Sequence, residues 1–152
     1  MKRKRGFTLV EIMIVVAIIA LLAAIAIPNL LRARLQANES AAQAAIKTIA
    51  TAEITYRTAN PTYGTLAELG GAVPPYIDAV LAAGAKNGYT FAVTDVGALT
   101  PDSFHSSAVP MNPNVTGVRS FCVTEDGVVR VQAAGGAIAS RAACLLLGAT
   151  AP

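Results

Sequence analysis

The sequence predicts an α+β fold: one long N-terminal α-helix, membrane-spanning in its first half and amphipathic in its second, packed on a small antiparallel β-sheet. Three observations carry this. An uncharged apolar run, Ile12–Ile27, directly follows a Lys/Arg cluster; an alanine-rich stretch free of glycine and proline runs from Asn29 to Ala59; and after Asn60-Pro61 the composition turns to glycine, proline and threonine around short alternating segments.

The apolar run holds roughly 16 uncharged residues, and carrying it across Pro28 and Asn29 to Leu31 gives about 20, the length a helix needs to cross a bilayer. The basic cluster before it places the N-terminus in the cytoplasm and everything after Leu31 on the exported side. A basic region, an apolar core and the small-residue pattern Ala24-Ile25-Ala26 also describe an ordinary secretory signal ending at Ala26, and that reading stays open at this point. Two features weigh against it. Gly6-Phe7-Thr8-Leu9-Val10-Glu11 sets a chemical boundary between charge and core that a plain signal does not need, and the sequence beyond Ala26 continues as helix.

In that continuation Leu31, Leu35, Ala42, Ala45, Ile46, Ile49 and Tyr56 recur at helical intervals, with Arg32, Gln36, Glu39, Gln43 and Lys47 mostly off the stripe. Pro28 separates two helical patterns that otherwise join, so it is expected to kink one long helix, from Phe7 to about Ala59, and not to end it. Pro61–Gly88 reads as a connection with one short helix around Tyr76–Ala83. Tyr89–Thr94 alternates large and small residues as a strand does, and Phe104–Val109 is a second, weaker strand pattern between Pro101 and Pro110. The clearest β signal is a hairpin: Arg119–Thr124, the turn Glu125-Asp126-Gly127, then Val128–Gln132, with Phe121 and Val123 meeting Val129 and Val131 on one face. Only the Ala/Gly-rich tail from Ala133 approaches low complexity.

Composition narrows the function classes. Net charge is +3, but Lys2, Arg3, Lys4 and Arg5 supply four of the twelve basic residues; a chain cut after Gly6 has eight basic against nine acidic side chains, a balance of −1. No composition argument for a nucleic-acid partner survives that cut. The two cysteines permit a single bridge, Cys122 to Cys144, or two reduced buried thiols. Cys122 alternates away from the Phe121/Val123 face, so a bridge would tie the tail across the outside of the sheet.

Catalytic chemistry has little to work with. His105 is the only histidine, beside Ser106 and Ser107, and reads as a surface or sheet-edge residue more readily than as part of a triad. There is no glycine-rich phosphate loop and no zinc or EF-hand ligand series. Asp95, Asp102, Glu125 and Asp126 could gather at one sheet end around calcium, but turn acids are ordinarily solvated, and no metal or cofactor is expected. Asn38-Glu39-Ser40 and Asn114-Val115-Thr116 match the glycosylation sequon and read as chance.

Glu11 is the exception that asks for a role. A carboxylate in an apolar segment costs several kcal/mol unless it is paired, so it is by default a functional residue with a partner to be named. If the chain is cut between Gly6 and Phe7, the new α-amino group is that partner, one turn away in the same helix or on a neighbouring parallel helix. In the second case the buried pair fixes axial register, because a slip strands both charges in an apolar core.

Lys4-Arg5-Gly6-Phe7-Thr8-Leu9-Val10-Glu11, followed by an apolar helix with Pro28-Asn29, resembles the N-terminal signature of the type IV pilin and type II secretion pseudopilin superfamily. The motif covers about the first 35 residues; the long helix, a remainder sized for four strands and the C-terminal cysteine pair are similar to the family plan, the pilin fold. The resemblance implies cleavage at Gly6/Phe7 by a membrane prepilin peptidase, N-methylation of Phe7, a subunit-docking role for Glu11, a helix kinked or locally melted near Pro28, and a loop bounded by Cys122 and Cys144. It divides the chain into a leader (1–6), a membrane or filament-core half-helix (7–31), an amphipathic half-helix (32–59), a connecting loop (60–88) and a sheet with the disulfide-bounded C-terminal region (89–152). The function it implies is a structural subunit, not an enzyme. Such a precursor sits in the bacterial inner membrane and passes through a pilus assembly platform into a homo-oligomeric helical filament, at the cell surface. The cysteine pair favours a pilin; the alternative is a pseudopilin in a periplasmic pseudopilus.

Overall fold

The computed structural model describes residues 7–94, 96 and 103–149, and the chain forms two compact units, Met1–Arg34 and Leu35–Pro152. Helix α1 runs over Leu9–Ala59 with Pro28 inside it. It starts two residues later than the sequence pattern suggests. The reason is Thr8, whose side chain takes the Glu11 N–H while Glu11 takes the Thr8 N–H in return, the reciprocal pattern of a capping box.

In the first unit the large apolar side chains of α1 are exposed, from Leu9 to Leu31. Burial begins in the second unit with half-buried Leu35, and the stripe Ala42, Ala45, Ile46 and Ile49 is buried as the spacing predicts. Leu31, expected on that stripe, is exposed. Two glutamates join the buried face instead. Glu39, expected off the stripe, is 5% exposed, and Glu53 is fully buried.

Beyond α1 the connection holds two short helices where the sequence suggested one, α2 (Leu66–Gly71) and α3 (Ala79–Ala82). Thr65 and Glu68 form a second capping box at the start of α2, and the Asp78 side chain caps α3 through the Leu81 N–H. The two helices approach so closely that a Cβ on Gly70 would lie 2.3 Å from that of Ala82.

The sheet is a five-stranded antiparallel meander in sequence order: β1 (Ala85–Lys86), β2 (Tyr89–Thr94), β3 (His105–Pro110), β4 (Ser120–Thr124) and β5 (Arg130–Gln132). The expected hairpin is present, with Phe121 opposite Val131 and Gly127 at φ +71° in its turn. Strand alternation sends Tyr89, Phe91, Ala108, Phe121 and Val123 to one face, where they share a single core with Ala42, Ile46, Ile49 and Leu69. The opposite face carries a second, smaller core of Cys122, Cys144 and Ile138, with Leu147 against it. Cys122 and Cys144 are disulfide-bonded there, which fixes the tail and its helix α4 (Arg141–Leu145) on the side of the sheet away from the main core.

Glu53 titrates out of the ordinary range. Burial pushes its carboxyl up to about 7, against the lowering effect of the Gly64 N–H it accepts at 2.9 Å, and Glu68 adds to the rise. The neutral acid is therefore the form the fold prefers. The unfolded chain gives up this proton near pH 4.5 and the folded chain near 7, so stability falls as pH rises between those values and levels off above them. Glu53→Gln should remove that loss, by up to about 3 kcal/mol. Melting of the full chain in detergent at pH 5 and pH 8 checks it: the parent loses stability on going to pH 8, and the variant should lose less and melt higher there.

The disulfide closes a loop with a sequence separation of 22, which contributes about 3 kcal/mol in the chain-entropy account. Replacing both cysteines with alanine should lower the urea midpoint accordingly. It should also raise amide exchange over residues 135–147 before the β2–β4 strands are affected.

Candidate functional site

The start of α1 brings together most of the residues the sequence singled out. Phe7 is 86% exposed and precedes the helix. Thr8 donates twice to one oxygen of Glu11: its backbone N–H and its hydroxyl both reach Oε2 at 2.8 Å. The Glu11 N–H returns a bond of 3.2 Å to the Thr8 hydroxyl. Glu11 therefore occupies the first turn, where free N–H groups and the helix dipole favour negative charge. Gly6, the other half of the expected cleavage point, lies outside the described residues. Pro28 lies within the helical run of α1. It has no N–H to give the preceding turn, and a proline ring within a helix crowds the carbonyl four residues earlier, here that of Ala24.

Sequence reasoning named Glu11 but overlooked Thr8. The signal was present, since Thr8-Leu9-Val10-Glu11 has the Thr-x-x-Glu spacing of a capping box ahead of an apolar run, and Thr65-Leu66-Ala67-Glu68 repeats it.

In the second unit a different carboxylate is at work. Glu39 Oε1 accepts the backbone N–H groups of Val118 and Arg119 at 2.9 and 3.1 Å, and Oε2 meets the Arg119 guanidinium at 2.7 Å. Burial acts to raise this carboxyl, but the two N–H groups and the guanidinium together outweigh it and hold it below the usual range. Asn38 adds a bond from its side-chain amide to the Thr116 carbonyl at 2.9 Å. These contacts fasten the β3–β4 loop to α1.

Of the four acids that could gather at one sheet end, two are described. Asp95 and Asp102 lie outside the described residues. Glu125 receives the Arg141 Nε at 2.8 Å and is held below the usual carboxylate range by that guanidinium. Asp126 takes Arg130 at 2.6 Å, the Val128 N–H and the Thr124 hydroxyl. Each acid thus has an arginine partner.

His105 is not at a surface or sheet edge. It is 1% exposed on β3, the middle strand, with Nδ1 3.0 Å from the Thr94 hydroxyl. It lies on the face the disulfide covers, its ring nitrogen within 4.8 Å of the Cys122 and Cys144 sulfurs. With both sulfurs in a disulfide, neither offers a thiolate to a metal.

Residues 1–27 match the family described as the prokaryotic N-terminal methylation motif. The chain is 43% identical over 72 residues, 47% of its length, to the type IV major pilin protein PilA of Myxococcus xanthus, of which the match covers 33%. It is 44% identical over 63 residues, 41% of its length, to the type IV wide pilus major component PilA4 of Thermus thermophilus, of which the match covers 48%. The matches thus span between about a third and a half of these curated relatives. The chain thus carries the prokaryotic N-terminal methylation motif and is similar, over less than half of its length, to major subunits of type IV pili.

Proposed function

We propose that the chain is a structural subunit of a type IV pilus, made as an inner-membrane precursor and polymerised, helices inward, into a homo-oligomeric filament at the cell surface. The observation that carries this reading is the start of α1: an acid in the first turn of a helix whose large apolar side chains are otherwise exposed, within a methylation motif. A prepilin peptidase cuts between Gly6 and Phe7, and Phe7 is N-methylated. The processed subunit passes through an assembly platform, with the helix kinked at Pro28.

Glu11 then has two tasks that must be separated. It caps its own helix through Thr8, and it pairs with the N-terminal amine of a neighbouring subunit. Capping is open to a glutamine as well, whereas the charge pair is not. Glu11→Ala and Glu11→Gln should both insert in the membrane and both assemble poorly in cells lacking the parent subunit, as read from sheared surface fractions. Normal filaments from Glu11→Gln alone would reduce the residue to a cap.

Intact mass tests processing directly. Subunit from sheared filaments should begin at methylated Phe7 and contain one disulfide. A mass beginning at Ile27 would mean a released secretory protein and remove the filament reading.

A further inference from the structure

We propose that the loop between β3 and β4, Met111–Arg119, is a membrane-surface contact of the unassembled subunit, resting in the phospholipid headgroup layer on the side where the second unit lies. The proposal rests on the membrane-spanning reading of residues 7–31.

The first observation is what the loop displays. Val115 is 71% exposed, Met111 47% and Val118 38%, three of the nine exposed large apolar residues described in the second unit, gathered in one nine-residue loop. The second is that most of the loop's N–H groups are already taken. Met111 N–H donates to Gly88, Asn112 N–H to the Thr116 hydroxyl, Asn114 N–H to Gly117, and those of Val115 and Thr116 to the Asn112 carbonyl. Val118 and Arg119 give theirs to Glu39, and Pro113 has none to give. Most surface loops leave such groups to water, and it is their desolvation that bars irregular backbone from a lipid environment. Here apolar side chains face outward while most of the N–H groups are spent within the unit, with Asn114 held at φ +64° to close the turn.

The third observation is the tether. The loop is fastened to Asn38 and Glu39, seven and eight residues beyond Leu31, the end of the spanning segment. Even fully extended, seven residues reach about 25 Å, and as helix they rise about 10 Å. The loop is thus confined near the bilayer for as long as the subunit remains in it. Exposed Arg32 and Arg34, directly after the spanning segment, supply positive charge suited to lipid phosphates at that surface.

The chain has no tryptophan, so single-tryptophan variants report depth cleanly. Val115→Trp, Leu21→Trp and Val73→Trp, the last at a 98%-exposed position between α2 and α3, are reconstituted as full chains in phosphatidylethanolamine and phosphatidylglycerol vesicles with brominated acyl chains. Val115→Trp should lose emission to bromines near the headgroup and shift to shorter wavelength, Leu21→Trp to bromines deep in the chains, and Val73→Trp to neither. Met111→Trp serves as a second loop probe and should behave as Val115→Trp does. Quenching at Leu21 with loop probes that behave like Val73 would overturn the contact while leaving the membrane-spanning reading intact. Loop probes that shift only on filament assembly would do the same and assign the loop to a neighbouring subunit. Absence of quenching at Leu21 would remove the membrane-spanning reading, and this proposal with it.

Discussion

Sixteen large apolar side chains between Phe7 and Leu31 are at least half exposed, and uncovered surface of that extent governs what the molecule can be. Each such side chain gains about 1.5–3 kcal/mol when fully buried, so covering them all is worth tens of kcal/mol. A domain of this size is held together by about 5–15 kcal/mol. No rearrangement within the second unit could offset that demand, and its own core is already filled by Ile46, Ile49, Phe91, Phe104 and Phe121. The cover must come from lipid or from other helices.

The second unit has a core on each face of its sheet. One face of the sheet closes over α1 with the main core, and the other is sealed by the disulfide and Ile138. Polar residues of α1 hold the connections in place: Glu39 gathers the β3–β4 loop and Glu53 the segment at Gly64. The two buried acids reach opposite charge states by different surroundings. Glu39 has two N–H donors and a guanidinium and stays ionised, whereas Glu53 has one N–H donor in a dry site and favours the proton. Breaking the Glu39 contacts would strand a charge against apolar surroundings, which is more costly than never having placed it there.

Much of this was legible in the residues because it depends on period. The apolar run, the stripe from Ala42 to Ile49 and the Phe121/Val123 alternation are local patterns that map directly onto faces. The direction of Cys122 also followed from alternation alone. What escaped were pairings between distant residues. Glu39 counts as a polar-face residue until Val118 and Arg119, some 80 positions away, supply its donors. His105 looked peripheral because its flanking prolines weakened the strand pattern, and only the meander order places β3 in the middle. Strand β1 is two residues long, too short for a period, and α2 is six, announced only by its capping box. At the site, Glu11 was conspicuous as a charge in an apolar run, whereas the role of Thr8 depends on a hydrogen-bond geometry that hydropathy does not register.

In the proposed filament, the same reasoning would let a few polar residues govern assembly. Passing from lipid to a bundle of like helices exchanges one apolar environment for another, so burial itself gives little preference for one arrangement over the next. Apolar side chains set that the helix must be covered, but they tolerate many axial offsets. Discrimination falls to the exceptions: a carboxylate at Glu11, the interrupted hydrogen-bond ladder at Pro28, and alanines such as Ala17, Ala20, Ala23 and Ala24 that let backbones approach. A charge can be satisfied at only a few offsets, and in a low-dielectric core each failed offset costs several kcal/mol. The cap on Glu11 lowers the cost of carrying that charge before assembly, since Thr8 already satisfies one of its oxygens. The second oxygen is free of that capping geometry, and in the proposed filament it is the one a neighbour's amine would meet to select the register.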